Sequence, residues 1–303
     1  MSSLGKPSVM DRVSKSGDFI IRKLAQKRAI PSQQPLIVGI NGPQGSGKTT
    51  LVRGLVSYLR DRKVATVGFS LDDIYLPYKE QMKVAAQHAD NPLLKFRGQA
   101  GTHDYALGRQ TLEGLLQRKD TAIPQYDKSL NGGYGDQVDR TQWKVSGPVD
   151  VVLFEGWNLG FRALDSAEFA KFIRGVRESD SPLFKHSRKF SDANLAQVNE
   201  HLKAYEAALY RLVDVWVYMR VANVDVVYRW RKQQEDDLAA SGRSSLTDTQ
   251  LEDFVSRFMP GYEMALEKLD KCGFVSSGLL GSMNTLRMHL DINRNVVAID
   301  HKL

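Results

Sequence analysis

The chain has 303 residues, 42% of them hydrophobic, with a formal net charge of +7 and one cysteine. A single cysteine excludes an intramolecular disulfide and a thiolate metal cluster and fits a reducing compartment, and no apolar run approaches the ~18 residues of a membrane-spanning helix. Lysine and arginine are scattered rather than gathered in one stripe, and no nucleic-acid motif accompanies them, so the charge points to phosphorylated small molecules rather than to nucleic acid or a membrane.

Residues 7–30 are amphipathic and cationic, but Asp11 and Asp18 argue against a mitochondrial presequence; residues 1–34 read as an N-terminal helix packed on the domain that follows. The apolar run 36–40 has strand length and leads into Gly42-Pro43-Gln44-Gly45-Ser46-Gly47-Lys48-Thr49, a complete G-x-x-x-x-G-K-[ST] phosphate loop. Glycines let backbone N–H groups curl around phosphates, Lys48 reaches the terminal phosphate, and the Thr49 hydroxyl takes magnesium. From Thr50 onward the apolar positions 51, 52, 55, 56 and 59 have helical spacing, and a helix N-terminus favours the anion. The loop and Thr50 are therefore the expected nucleotide-binding residues, with ATP and Mg²⁺ as the implied ligands.

Residues 64–70 read as a second strand, ending in Leu71-Asp72-Asp73-Ile74-Tyr75 at the crevice side of an open sheet, one strand over from the loop. A third strand, 149–154, closes on Glu155-Gly156; a fourth spans 213–221 after a helical stretch from about 195 to 212; a last one spans 295–300. Strands alternating with helices imply an α/β fold with a mostly parallel sheet covered on both faces. Residues 91–101 and 127–147 read as long functional loops, 103–118 as a helical pattern, and 166–190 as a polar surface insertion. Cys272 reads as an ordinary buried thiol. The C-terminal His301-Lys302-Leu303 shares two letters with the Ser-Lys-Leu peroxisomal address, but the expected location is the cytoplasm.

Phosphoryl transfer to an alcohol needs a carboxylate for the hydroxyl, a magnesium relay, and positive charge over the transferring group. Asp72 is assigned as the base; helix capping is the competing role for Asp72 and, more strongly, for Asp73. Glu155 takes the position of the second acidic residue, holding magnesium directly or through water, with a structural ion pair as its alternative. Residues 224–235 form an expected helix with Arg229, Arg231 and Lys232 in four positions, either lid cations or a solvated face. Arg97-Gly98-Gln99-Ala100-Gly101-Thr102-His103-Asp104 combines a guanidinium, an imidazole and a carboxylate, suited to an anionic acceptor, with a structural histidine as the alternative.

With these residues placed, the chain resembles the plant and fungal D-glycerate 3-kinase group, within the P-loop kinases that include uridine kinase, phosphoribulokinase and bacterial pantothenate kinase. The resemblance starts near residue 35 and rests on the phosphate loop, Ser70 to Leu76, Arg97-Gly98 through His103-Asp104, Pro124-Gln125-Tyr126-Asp127-Lys128-Ser129, Phe154-Glu155-Gly156-Trp157 through Phe161, Tyr228-Arg229-Trp230-Arg231 and Asp253-Phe254-Val255-Ser256-Arg257. It implies a P-loop NTPase-type three-layer α/β/α domain over 35–303 with a helical lid at about 223–260. It also implies ATP-dependent phosphorylation of a small acid's hydroxyl, glycerate leading. By the same resemblance Lys48, Asp72 and Arg231 are catalytic, Arg231 matching the family's Trp-Arg pair better than Arg229. The acceptor set is Asp73, Tyr75, Arg97, His103, Asp104, Tyr126 and Lys128. Two departures bear on acceptor choice: 166–190 is longer than in the plant enzymes, and Gln125 stands where arginine is expected. A nucleoside or pantothenate-like acceptor, a nucleotide-dependent switch and a nucleic-acid ATPase are the competing readings. The switch is weakened because no Asn-Lys-x-Asp guanine motif is present.

Overall fold

The computed structural model describes residues 7–242, 245–281 and 283–302. Strands β1 (Leu36–Asn41), β2 (Thr66–Ser70), β3 (Val151–Gly156), β4 (Val215–Val221), β5 (Thr285–Leu290) and β6 (Val296–Lys302) form one sheet in the order β6-β5-β4-β1-β3-β2. Every pairing is parallel except β5 with β6, an antiparallel edge hairpin. β1 and β3 are buried at every position, which explains their unbroken apolar runs: a parallel strand covered on both faces has no polar side. Helices α1 (Pro7–Arg28) and α2 (Lys48–Arg60) precede α3 (Tyr78–Gln87), α4 (Tyr105–Leu116), α5 (Ser166–Glu178), α6 (Asp192–Ala208), α7 (Val226–Ala240), α8 (Asp248–Ser256) and α9 (Met259–Cys272).

Alternate strand residues feed two cores, one per face, as the pleat requires. Leu36, Val38, Ile40, Val151 and Leu153 pack with α1 and α2, whereas Ile37, Val152, Phe154 and Trp216 pack with the helices of the other layer. The Trp216 ring can approach β1 closely because Gly39 has no side chain; a Cβ there would stand 2.4 Å from the ring. Residues 166–190 differ from a simple surface insertion: α5 is amphipathic, and Phe172, Val176 and Phe190 join the main core. Cys272, expected inside, is exposed at the end of α9. No described helix is long and apolar enough to cross a membrane.

The N-terminal helix is fastened to the sheet by a buried charge pair. Lys27 Nζ donates to Asp214 Oδ2 at 2.5 Å, and the same carboxylate accepts from the Ile37 N–H at 2.9 Å and, through Oδ1, from the Ser277 hydroxyl at 2.7 Å. Both charged side chains are almost fully excluded from water. Removing one partner leaves the other charge buried alone, so Lys27→Met is expected to destabilise the fold by about 3–5 kcal/mol in denaturant unfolding. A loss below about 1 kcal/mol would show the pair to be dispensable.

Candidate active site

The chemistry gathers where β1, β2 and β3 end, the carboxyl edge of the sheet. β3 is inserted between β1 and β2, so Glu155 pairs in register with Ile40 on one side and Ser70 on the other. Asp72 is thus two strands from the loop strand rather than one, with Glu155 between them. Glu155 also lies inside its strand rather than after it.

After β1 the chain turns through Gly45 (φ 76°) and Gly47 (φ 89°), left-handed conformations that a side chain would strain. Gly47 caps α2 without a side chain, so the first N–H groups of that helix have no side-chain partner and face the cleft lined by Lys48 and Thr49. Such an end accepts an anion. Lys48 is buried and its ammonium donates back to Gly42 O (2.8 Å) and Pro43 O (3.2 Å). Burial lowers its pKa, opposed by the charges of Glu155 and Asp72. The Thr49 hydroxyl donates to Glu155 Oε1 at 2.8 Å, and burial raises the Glu155 carboxyl against the pull of Lys48. A hydroxyl and a carboxylate are hard oxygen donors of the kind Mg²⁺ takes. They would suit such an ion, with further oxygens left to phosphate and water.

Facing the loop across a cleft of about 400 Å³ stand Asp72, Tyr75, Arg97 and Lys128. Asp72 belongs to a 3₁₀ turn, Leu71–Ile74; its backbone N–H donates to the Ser70 hydroxyl, and its side chain lines the cleft. Lys128 Nζ binds Asp72 Oδ2 at 2.5 Å. Burial by itself would raise the Asp72 carboxyl, but the neighbouring positive groups, Lys128 foremost and with Lys48 among them, together outweigh it and hold the group at about 2. Lys128→Met removes the main opposing charge, so burial then lifts Asp72. The variant's kcat/KM is expected to fall on acidification at a higher pH than that of the unmodified chain. A pH–rate profile superimposable on the wild type would contradict this coupling.

The other expected acceptor residues divide. Arg97 lines the cleft but spends its Nη1 on Gly133 O (2.7 Å) and Tyr134 O (2.5 Å), which ties down the glycine-rich loop. Tyr126 is half-buried, edge-on to Tyr75 at 5.4 Å and beneath the Arg97 guanidinium at 5.8 Å. His103 is buried, stacked on Tyr75 at 4.4 Å, with Nδ1 2.7 Å from the Tyr205 hydroxyl; burial pushes its pKa down to about 3, so it is neutral. Two of the expected acceptor carboxylates are engaged in caps. Asp73 accepts from the Ser70 N–H at 2.8 Å as the capping-box residue, and burial raises it to about 6; Asp104 caps α4 by accepting from the Leu107 N–H at 2.9 Å. Of the expected acceptor residues only Tyr75, Arg97 and Lys128 line the cleft; Asp73, His103, Asp104 and Tyr126 lie behind it. Short carboxylates suit caps and catalysis alike, so residue type could not separate the two roles.

α7 resolves the cluster of cations on its surface. Arg231 lines the cleft, its Nη1 donating to Gln234 Oε1 (2.7 Å) and its Nη2 to Glu235 Oε1 (2.9 Å), while its buried Nε has no partner among the described residues. Arg229 lines a separate hollow with Lys185, His186 and Tyr228. Sequence reasoning gave no role to the wall residues Arg257 and Trp157 or to Tyr262 behind the loop. Arg257 lies over Phe96 at 4.4 Å and Phe254 at 5.7 Å, Trp157 closes the floor, and the Tyr262 hydroxyl accepts from the Gln44 N–H at 3.0 Å. Arg257 and Trp157 sit in recognised motifs, so a signal existed; Tyr262 reaches the loop from α9 and had none.

No family model matches the chain. It is 36% identical over 283 residues to the "uncharacterized kinase mug58" of Schizosaccharomyces pombe, covering 92% of this chain and 96% of that protein. It is 36% identical over 240 residues to the chloroplastic D-glycerate 3-kinase of Arabidopsis thaliana, covering 78% of this chain and 48% of that one, so it spans about half that relative's length. The solved structure of D-glycerate 3-kinase from Cryptococcus neoformans superposes with a TM-score of 0.86 at 33% identity, covering 95% of this chain and 98% of that one. A phosphate loop at the carboxyl edge of a mostly parallel sheet, an aspartate across the cleft, and these similarities along nearly the whole chain place it in the D-glycerate 3-kinase family of P-loop kinases.

Proposed function

We propose that this chain transfers the γ-phosphate of ATP to a hydroxyl of D-glycerate, giving 3-phosphoglycerate and ADP. The observation that carries the reading is the single cleft in which Lys48, Thr49 and Glu155 face Asp72, Lys128 and Arg231. The loop and the N-terminus of α2 bind the phosphates. Thr49 and Glu155 would hold Mg²⁺, which when bound would neutralise phosphate charge. Asp72 accepts a hydrogen bond from the acceptor hydroxyl and takes its proton as the new P–O bond forms and the bond to the β-phosphate oxygen breaks. A carboxyl near 2 is a weak base, so its contribution is chiefly to aim the hydroxyl. Arg231 stabilises charge on the transferring group. The acceptor's carboxylate meets a wall carrying Arg97, Lys128 and Arg257, whose cations suit an anion better than a nucleobase.

A coupled ADP-release assay across D-glycerate, L-glycerate, uridine, pantothenate and no acceptor tests this. Turnover is expected with D-glycerate and lost in Lys48→Ala. Equal turnover with every acceptor and with none would instead support a nucleotide-hydrolysing switch.

A further inference from the structure

We infer that Arg12 and Arg294 form a second layer of the nucleotide site, positioning residues that hold the outward carbonyls of the phosphate loop and lend their charge to triphosphate binding. The inference rests on the loop being the ATP site. A cradle that turns its N–H groups inward must turn some carbonyls outward, and those need donors from behind. Both donors come from far away in the chain. Arg12, on α1 and only 2% exposed, donates from Nη1 to Ser46 O at 2.7 Å. Arg294, in the turn between β5 and β6, donates from Nε to Gly45 O at 2.7 Å and from Nη1 to Gln233 Oε1 at 2.8 Å.

The turn is built to hold that arginine. Asp291 Oδ1 accepts from the N–H groups of Asn293 and Asn295, both at 2.8 Å, and Trp230 Nε1 donates to Ile292 O at 2.7 Å. The Arg294 guanidinium then lies over the Trp230 ring at 5.0 Å, and Trp230 Cβ is the atom that Gly45 approaches too closely for a side chain. Among the described residues neither guanidinium has a carboxylate within ion-pair distance. A buried cation such as Arg12 is costly without a counter-ion unless something else supplies the negative charge, and the half-buried Arg294 has only the more distant Asp237 nearby. Beside these two, a bound triphosphate supplies it. A purely architectural role, with Arg12 pinning α1 to the domain and Arg294 pinning the hairpin, would leave affinity independent of ligand charge.

Calorimetry with Mg-ATP, Mg-ADP and AMP on Arg12→Gln, Arg294→Gln and Arg294→Lys separates these roles. Each glutamine variant is expected to weaken Mg-ATP binding about tenfold, Mg-ADP less and AMP least, and Arg294→Lys to recover part of the loss. Equal losses for all three nucleotides, or no loss, would overturn the inference. Should Arg12→Gln not fold, Arg294→Gln at the hairpin turn carries the test. If the unmodified chain binds none of the nucleotides, the reading of the loop itself fails, and this inference with it.

Discussion

Arg231→Gln is expected to lower kcat by about 10³-fold or more, the scale of an arginine placed over a transferring phosphoryl group. The guanidinium is already oriented. Glu235 and Gln234 hold its two Nη atoms, Phe254 lies 5.1 Å from its centre, and the unpartnered Nε leaves a donor for a phosphate oxygen. Its charge matters most as negative charge spreads over the transferring oxygens, so the loss should fall on kcat more than on the KM for ATP. Lysine restores the charge but cannot occupy both side-chain acceptors and a phosphate in one plane, so Arg231→Lys should recover only part of the rate. Arg229→Gln, on the separate hollow, serves as the control and should keep wild-type kcat. Steady-state kinetics decide the matter: a kcat within tenfold of wild type for Arg231→Gln would remove this residue from the transition state.

Asp72→Asn is expected to cost about 10²- to 10⁴-fold in kcat. The amide is nearly isosteric, so packing is preserved, while the negative charge that pairs with Lys128 at 2.5 Å is lost and half of the group becomes a donor. Because Lys128 and the other neighbouring positive groups keep the wild-type carboxyl at about 2 against the opposing effect of burial, Asp72 is ionised throughout any practical assay range. The ratio of wild-type to variant rates should therefore be constant from roughly pH 5 to 9. Undiminished turnover in the variant, or a defect that appears only at one end of that range, would contradict an orienting carboxylate.

Much of this site was legible because it is contiguous. Gly42 to Thr49 are eight neighbours whose spacing alone specifies a strand, a turn and a helix start, and the apolar runs on either side are local features too. Asp72 and Glu155 were found the same way, as acids at the ends of apolar runs. β5 was missed although Leu286, Met288 and Leu290 alternate with Arg287 and His289. Polar Arg287 and His289 interrupt the apolar run by which the other strands were read, and only the fold shows Arg287 buried beside Asp270 and Asp300. Cys272 was misplaced because cysteine is usually buried, whereas this one lies at an exposed helix end.

By itself the sequence determined the phosphate cradle, the α/β class and the acids that serve it, since each is encoded in a handful of adjacent residues with a fixed period. Tertiary structure alone decided that β3 enters between β1 and β2, that Asp73 and Asp104 are caps while Asp72 faces the cleft, and that Arg231 rather than Arg229 turns inward. It also brought Arg12 and Arg294 from opposite ends of the chain to the back of one loop. The reason is physical: strand order and side-chain direction follow from burying two sheet faces at once, a condition set by residues far apart in the chain and carried by no local pattern.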